Sequence, residues 1–312
     1  MRGAADLPLL RPRALRPGAA IGVCAPSGPV VPEVLDACLD WLGSLGHPVV
    51  LAKNLRARSG FLAGDDEARL SDFLSLVRDP RVAVILCARG GYGVGRFLDR
   101  VDPAELRAAR KLVVGYSDAT HLLSFLYRRA RLTSLHGPML ERVDVTPGAR
   151  ARQLALMRGE PAGQGSLAGR TVRAGRSEGP LVGGNLKLLQ AGIGTPWEVD
   201  LRGAILFIEE ISEAPYAIDR ALVQMRESGV LEGVRGVALG QLVQCESERY
   251  PGASAGEVVR EILSSAVDGP IVEDLPFGHV ADNQSLGVGV RARLDGARAE
   301  LTLLEPVVEV SA

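Results

Sequence analysis

The sequence predicts an α/β protein in two parts: a three-layer N-terminal domain with a parallel sheet, then a mixed, β-rich C-terminal domain. Two features carry the prediction. In the first half, continuous apolar runs alternate with amphipathic helical segments, as in a parallel sheet covered on both faces. Past about residue 141 this rhythm breaks into a stretch rich in Gly, Pro and Arg, then resumes with more antiparallel character. With 312 residues, 46% hydrophobic and 23% charged, the chain is long enough for about two such cores.

The elements follow in order. AIGVCAP (19–26) reads as a buried strand, and EVLDACLDWLGSLG (33–46) as a helix stopped by a Gly-His-Pro turn. HPVVLA is the second strand, EARLSDFLSLVRD (67–79) a helix, and RVAVILCA (81–88) a third strand that ends in RGGYGVG. ELRAARK is helical, KLVVGY is the fourth strand, and DATHLLSFLYRRA (118–130) is the helix after it. Ligands of such sheets sit beyond the carboxyl ends of the strands, which singles out the loops APSGP, RGGYG and GYSD. Between 141 and 178 only one helix is convincing, near 148–158. Strands at 203–210 and 236–242, helices at 217–228 and 256–266, and a hairpin around Asp295-Gly296 complete the second half. The expected division is an N-terminal domain over 1–145, a linker region over 146–178 and a C-terminal domain over 179–312.

Bulk properties exclude several classes. Lys plus Arg number 36 against 37 Asp plus Glu, a balance unlike that of a general nucleic-acid binder. No apolar run has the length to span a bilayer. Arg11, Arg13 and Arg16 interrupt the N-terminal segment before a signal-peptide core could form, so an untargeted, cytoplasmic protein is expected. Cys24, Cys38, Cys87 and Cys245 form no C-x-x-C pair and read as reduced, buried thiols. No Cys or His pair has zinc-ligand spacing, and no metal or other cofactor is expected.

The stretch KLVVGYSDATHLLSFLYRR (111–129) carries the chemistry. A tight strand-to-helix turn with a Ser at its tip can hold a nucleophilic hydroxyl above an α/β sheet, and Gly115 lets the backbone pass closely. The N–H of Asp118 lies at a helix N-terminus, where it can stabilise an oxyanion. The other reading is that Ser117 or Asp118 caps the helix. Ala119 also stands where G-x-S-x-G has its second Gly. Of the four histidines, His47 reads as structural, His121 as packed on the sheet and His136 as the end of a short strand. His279, in the polar loop LPFGHVADNQSLG, has no core to fill and is the best base. Glu209 and Glu210 end an apolar strand, and one of them is expected to face a polar site. Adjacent glycines in CARGGYGVG offer further oxyanion donors. A phosphate-binding reading of that loop is weak, because neither Gly-rich fingerprint is present.

Several segments together resemble the LD-carboxypeptidase family of serine peptidases. They are Ala88-Arg89-Gly90-Gly91-Tyr92-Gly93, Val114-Gly115-Tyr116-Ser117-Asp118-Ala119-Thr120 and Gly183-Gly184-Asn185-Leu186. Phe207-Ile208-Glu209-Glu210, Pro215-Tyr216-Ala217-Ile218-Asp219-Arg220 and Leu275-Pro276-Phe277-Gly278-His279 continue the series. The resemblance runs from about residue 19 to the C-terminus. It implies a metal-free Ser-His-Glu peptidase that removes D-alanine from the L-centre of muropeptide tetrapeptides during wall recycling. Ser117 matches the nucleophile, His279 the base and Glu209 its carboxylate partner, although the family has Glu-Asp where this chain has Glu209-Glu210. The N–H groups of Asp118 and Gly91 are the implied oxyanion hole. Arg89 and Asn185 are candidates for substrate binding, with Arg220 as a further cation. The resemblance also implies a homodimer. The alternative within the family is a peptidase acting on peptidyl or aminoacyl nucleotides of the microcin C type, which needs an aromatic platform, for which Trp197 is the candidate.

Overall fold

The structure is a computed structural model that describes residues 7–310; residues 1–6, the start of the segment expected to lack a targeting signal, lie outside the described residues. The first half alternates as the apolar runs require. It contains β1 (Ala20–Cys24), α1 (Pro32–Ser44), β2 (Val49–Leu51), α2 (Asp66–Arg78), β3 (Val82–Cys87), α3 (Pro103–Ala109), β4 (Leu112–Gly115), α4 (Thr120–Phe125) and β5 (Ser134–His136). α4 continues through a π-helical turn over Leu126–Ala130. The second half adds α5 (Pro147–Arg158), β6 (Leu167–Ala168), β7 (Arg170–Arg173), β8 (Arg176–Asn185), α6 (Leu186–Ala191), β9 (Ile205–Ile211) and α7 (Pro215–Glu227). It ends with β10 (Gly236–Val243), α8 (Ala255–Ala266), β11 (Ile271–Glu273), β12 (Leu286–Val288), β13 (Arg291–Asp295) and β14 (Glu300–Leu303).

The first sheet has the order β12-β5-β4-β3-β1-β2. Its strands are parallel except β12, which pairs antiparallel with β5 through Leu286 opposite His136. Val23, Val84, Leu112 and Val114 are completely buried, because helices cover both faces. The strand order reverses between β1 and β3, and ligands of such sheets bind at this reversal, beyond the carboxyl ends of the strands. This reversal positions the site.

The second sheet has the order β6-β14-β13-β8-β9-β10-β11-β7. Its centre, β8 to β11, is parallel, and antiparallel strands flank it on both sides. The expected hairpin forms from β13 and β14, with the Asp295 carboxylate accepting from the N–H groups of Ala297 and Arg298 in the turn. Residues 146–178, expected as a linker, hold α5, β6 and β7, the last two paired into the second sheet. β12 lies well beyond that stretch in sequence and yet closes the edge of the first sheet. Further links tie the two sheets together. The N–H of Asn185 at the end of β8 donates to the Thr120 hydroxyl at 3.1 Å, and His121 Nε2 lies 2.8 Å from the Leu188 carbonyl. Among the described residues no helix is long and apolar enough to cross a membrane.

Candidate active site

At the end of β4 the chain turns sharply. Tyr116 is extended, Ser117 has φ +59°, and a single 3-10 turn over Ser117–Ala119 leads into α4. A left-handed φ at a residue with a Cβ costs roughly 1–2 kcal/mol, so the surrounding fold must hold the turn in place. Gly115 permits the close return: a Cβ there would meet Ala119 Cβ at 2.8 Å and Cys87 Sγ at 3.2 Å. The capping alternative does not hold, since neither the 3-10 turn nor α4 has a side-chain cap. Asp118 is buried as well, and its carboxylate accepts from the N–H of Val94 at 3.0 Å, in the loop after β3. Burial raises its pKa.

The loops around the elbow are laced together by backbone bonds. Gly28 N–H donates to the Gly90 carbonyl at 2.9 Å, and Ala63 N–H donates to the Ser27 carbonyl at 3.0 Å. Buried Arg69 of α2 donates to the carbonyls of Pro26 and Gly93, at 2.6 and 2.7 Å. Because the Gly90–Gly91 peptide is trans and its carbonyl is taken by Gly28, the N–H of Gly91 points the opposite way. Gly90 itself lies against the elbow: a Cβ there would sit 3.2 Å from Ser117 Oγ.

Glu209, on β9, is fully buried, and its Oε2 lies 2.6 Å from His279 Nδ1. With that nitrogen held by the carboxylate, Nε2 is the nitrogen left to accept a proton. Gly278 makes the approach possible. Its φ is +115°, and a Cβ there would press on Glu209 Cβ at 2.9 Å. The N–H of Gly278 donates to buried Asn283 Oδ1 at 3.0 Å, which fixes the loop. The Tyr116 ring lies 4.7 Å from the imidazole, so the residue preceding Ser117 packs directly on His279.

Ser117, His279, Arg89, Gly90 and Gly91 line one cavity of about 390 Å³, walled also by Val31, Val34, Met139, Glu141 and Arg142. Arg89 is 46% exposed and lies 3.7 Å from the Glu141 carboxylate. Asn185 is not among the cavity residues. Its Oδ1 accepts from Leu188 N–H as the cap of α6, and its Nδ2 donates to Glu210 at 2.7 Å. The side chain is spent on structure, which removes it from substrate binding. Asn185 is extended, with φ −67° and ψ +128°, and the positive φ of the turn belongs to Gly184. Glu210 faces away from His279, accepting from Asn185, from the N–H of Lys187 and from its neighbour's N–H at 2.7–2.8 Å, and burial raises its pKa. Arg220 lies against Tyr216 on α7, away from the cavity. Trp197 packs beside His121, with ring centroids 6.0 Å apart, and is also absent from the lining. All four cysteines are free and buried, and burial pushes Cys87 up to about 12.

Sequence reasoning missed Arg69 and Asn283. Arg69 shares the inward face of α2 with Phe73 and Leu76, and an arginine on an apolar face is a readable signal for a buried anchor. Asn283 left none. His136 is completely buried between the rings of Phe207, at 5.1 Å, and Tyr116, at 5.9 Å, with neither nitrogen hydrogen-bonded. Burial lowers its pKa to about 4. An unfolded histidine titrates near 6.5, so between about pH 6.5 and 4 the unfolded chain binds the extra proton. The contribution of His136 to stability is therefore full above pH 6.5 and falls by about 3 kcal/mol as the pH drops to 4, while the buried carboxyls with raised pKa work in the opposite sense. Urea denaturation of wild type and His136→Gln across that range is expected to show this slope in the difference between them; an identical slope in the variant would refute the assignment.

Comparison with known proteins gives a consistent picture. A family model for the LD-carboxypeptidase N-terminal domain matches residues 21–137, and one for the LD-carboxypeptidase C-terminal domain matches residues 178–294. A Bacillus subtilis protein named "Probable murein peptide carboxypeptidase" is 37% identical over 294 residues, covering 92% of each chain. The crystal structure of muramoyltetrapeptide carboxypeptidase from Oxalobacter formigenes superimposes with a TM-score of 0.80 at 30% identity, over 91% of this chain and 98% of that one. The Microcin C7 self-immunity protein MccF of Escherichia coli is 24% identical over 308 residues, covering 86% of this chain and 87% of its own.

Proposed function

The chain belongs to the LD-carboxypeptidase family and is a serine-type carboxypeptidase, and from that premise we propose that it releases the terminal D-alanine of muropeptide tetrapeptides by a Ser117-His279-Glu209 triad. One observation carries the reading. Ser117, on a left-handed strand-to-helix elbow, lines the same cavity as His279, whose other ring nitrogen is held by a buried carboxylate.

The steps follow from that arrangement. His279 Nε2 takes the proton of Ser117 as Oγ attacks the carbonyl carbon of the L-centre. Glu209 keeps the Nδ1 hydrogen and steadies the imidazolium. The charge that develops on the carbonyl oxygen meets the N–H groups of Asp118 and Gly91. The C–N bond breaks, D-alanine leaves with the proton from His279, and water activated by the same nitrogen hydrolyses the acyl-enzyme. The leaving residue carries a carboxylate, and Arg89 in the cavity wall supplies the opposite charge.

The test is mass spectrometry of a purified tetrapeptide digest. Loss of one D-alanine is expected, with no cleavage of an aminoacyl sulfamoyl-adenosine. An intact tetrapeptide beside a cleaved nucleotide conjugate would instead place the chain with the microcin-type peptidases.

A further inference from the structure

Among the described residues that line the cavity, Glu141 is the one acid. The segment that carries it is built in place. Leu140 N–H donates to the Cys87 carbonyl at 3.1 Å and Glu141 N–H to the Ala88 carbonyl at 3.0 Å, so the chain runs along the end of β3. Gln153 of α5 donates to the Pro138 carbonyl at 2.6 Å. Arg150, over the Trp41 ring at 4.5 Å, donates to the carbonyls of Met139 and Arg142 at 3.3 and 2.8 Å. This mount abuts the nucleophile: a Cβ at Gly90 would meet Met139 Cε at 3.1 Å and Ser117 Oγ at 3.2 Å.

The Glu141 side chain is 7% exposed, and a carboxylate so buried needs compensation. Oε1 has it, accepting from the N–H of Val31, just ahead of α1, at 2.8 Å. Oε2 does not: the Arg89 guanidinium is 3.7 Å away, outside hydrogen-bond distance, and half in solvent. Burial raises the Glu141 pKa against the opposing pull of Val31 and Arg89. Arg142, the other cation of the lining, is spent on Asp144 through bonds of 2.9 and 2.7 Å. The wall thus presents a carboxylate oxygen short of a donor. Charge then selects the occupant. In the peptidase reading the attacked carbon belongs to the third residue of the tetrapeptide, so that residue's side chain begins two bonds from the carbon Ser117 attacks. Diaminopimelate or lysine stands there in muropeptides, and both side chains end in an ammonium. The leaving D-alanine brings only a methyl and a carboxylate. Within one residue of the scissile bond the substrate therefore carries one kind of cation, and Glu141 is the carboxylate in the wall that can receive it.

We propose that Glu141 determines specificity for the third residue of the substrate, its carboxylate receiving the side-chain ammonium. This deepens the peptidase reading and rests on it. The test compares kcat/KM for D-alanine release from tetrapeptides with lysine, Nε-acetyl-lysine or norleucine in third place, on wild type and Glu141→Gln. The first neutral side chain is longer than lysine and the second shorter, so a loss common to both reports charge and not size. The carboxamide still accepts from Val31, so the variant removes the charge and keeps the tie to α1, and its melting temperature should stay near that of wild type. Wild type is expected to favour lysine over both neutral residues by roughly 10- to 100-fold, mainly through KM, and Glu141→Gln to lose most of that preference. A ratio near one in wild type overturns the proposal and needs no variant. A preference that survives in Glu141→Gln also overturns it, and equal losses on all three peptides would assign Glu141 to holding Arg89 instead. The same ratios are read without turnover from calorimetric Kd values of the peptides on Ser117→Ala protein, with and without Glu141→Gln. Absence of D-alanine release from all three peptides would thus count against the peptidase reading alone, while the Kd ratio still decides the role of Glu141.

Discussion

Ser117→Ala is expected to lower kcat for D-alanine release by roughly 10⁴- to 10⁶-fold, the scale of nucleophile deletions in serine peptidases. The protein should remain folded, because the hydroxyl caps neither of the helical turns that follow it. Alanine also keeps the Cβ, so the strain of the φ +59° backbone is unchanged and the melting temperature should barely move. Ser117→Gly makes the distinction sharper. It removes both the hydroxyl and the Cβ, so it should be as inactive as alanine while gaining roughly 1 kcal/mol of stability. A serine that is merely a turn residue would show the stability gain with no loss of turnover. Retention of more than a tenth of wild-type activity in Ser117→Ala would refute the nucleophile assignment.

Glu209→Gln is the second large effect. The carboxylate is fully buried and holds His279 Nδ1 at 2.6 Å. A carboxamide is nearly isosteric, but it can donate to Nδ1 and so stabilise the tautomer with the hydrogen on Nε2, which cannot accept a proton from Ser117. It also removes the charge that steadies the imidazolium. Loss of this interaction in a serine triad lowers kcat by roughly 10⁴-fold. Glu210→Gln serves as the control one residue away. Glu210 caps the Asn185 turn and faces away from His279, so its variant should lose stability with little change in kcat. Equal kinetic losses in the two variants would mean that both carboxylates act through the fold.

The elbow was legible because its ingredients are local. An apolar strand, Gly115 and a helical pattern beginning two or three residues later leave few conformations for Tyr116 and Ser117. Whether the hydroxyl capped the helix could not be read from sequence, since Ser serves both uses; the structure shows an elbow with a left-handed φ and no side-chain cap. The two glutamates were half legible. Successive strand residues point to opposite faces, so only one of Glu209 and Glu210 could meet His279, but which face held the histidine depended on a loop 70 residues away. Asn185 was misjudged: it precedes a helical run as a cap would, and it caps α6. β8, the ten-residue strand at the centre of the second sheet, escaped because Gly179, Pro180, Gly183 and Gly184 break its apolar pattern. Pro180 is tolerated where the strand changes partner, from β13 on its first half to β9 on its second. The pairing of β12 with β5 joins segments about 150 residues apart, and a three-residue strand carries no periodicity by which to read that.

The central claim is that a hydroxyl from the first sheet and an imidazole from the second act as one unit in the cavity they share. A kinetic double-variant cycle on kcat for D-alanine release tests it most directly, using Ser117→Ala, His279→Ala and the pair together. Groups that act together are non-additive, so the double variant is expected to retain the same residual rate as either single variant. Losses that multiply, with the double variant slower by the product of the two single effects, would show independent roles and contradict the account.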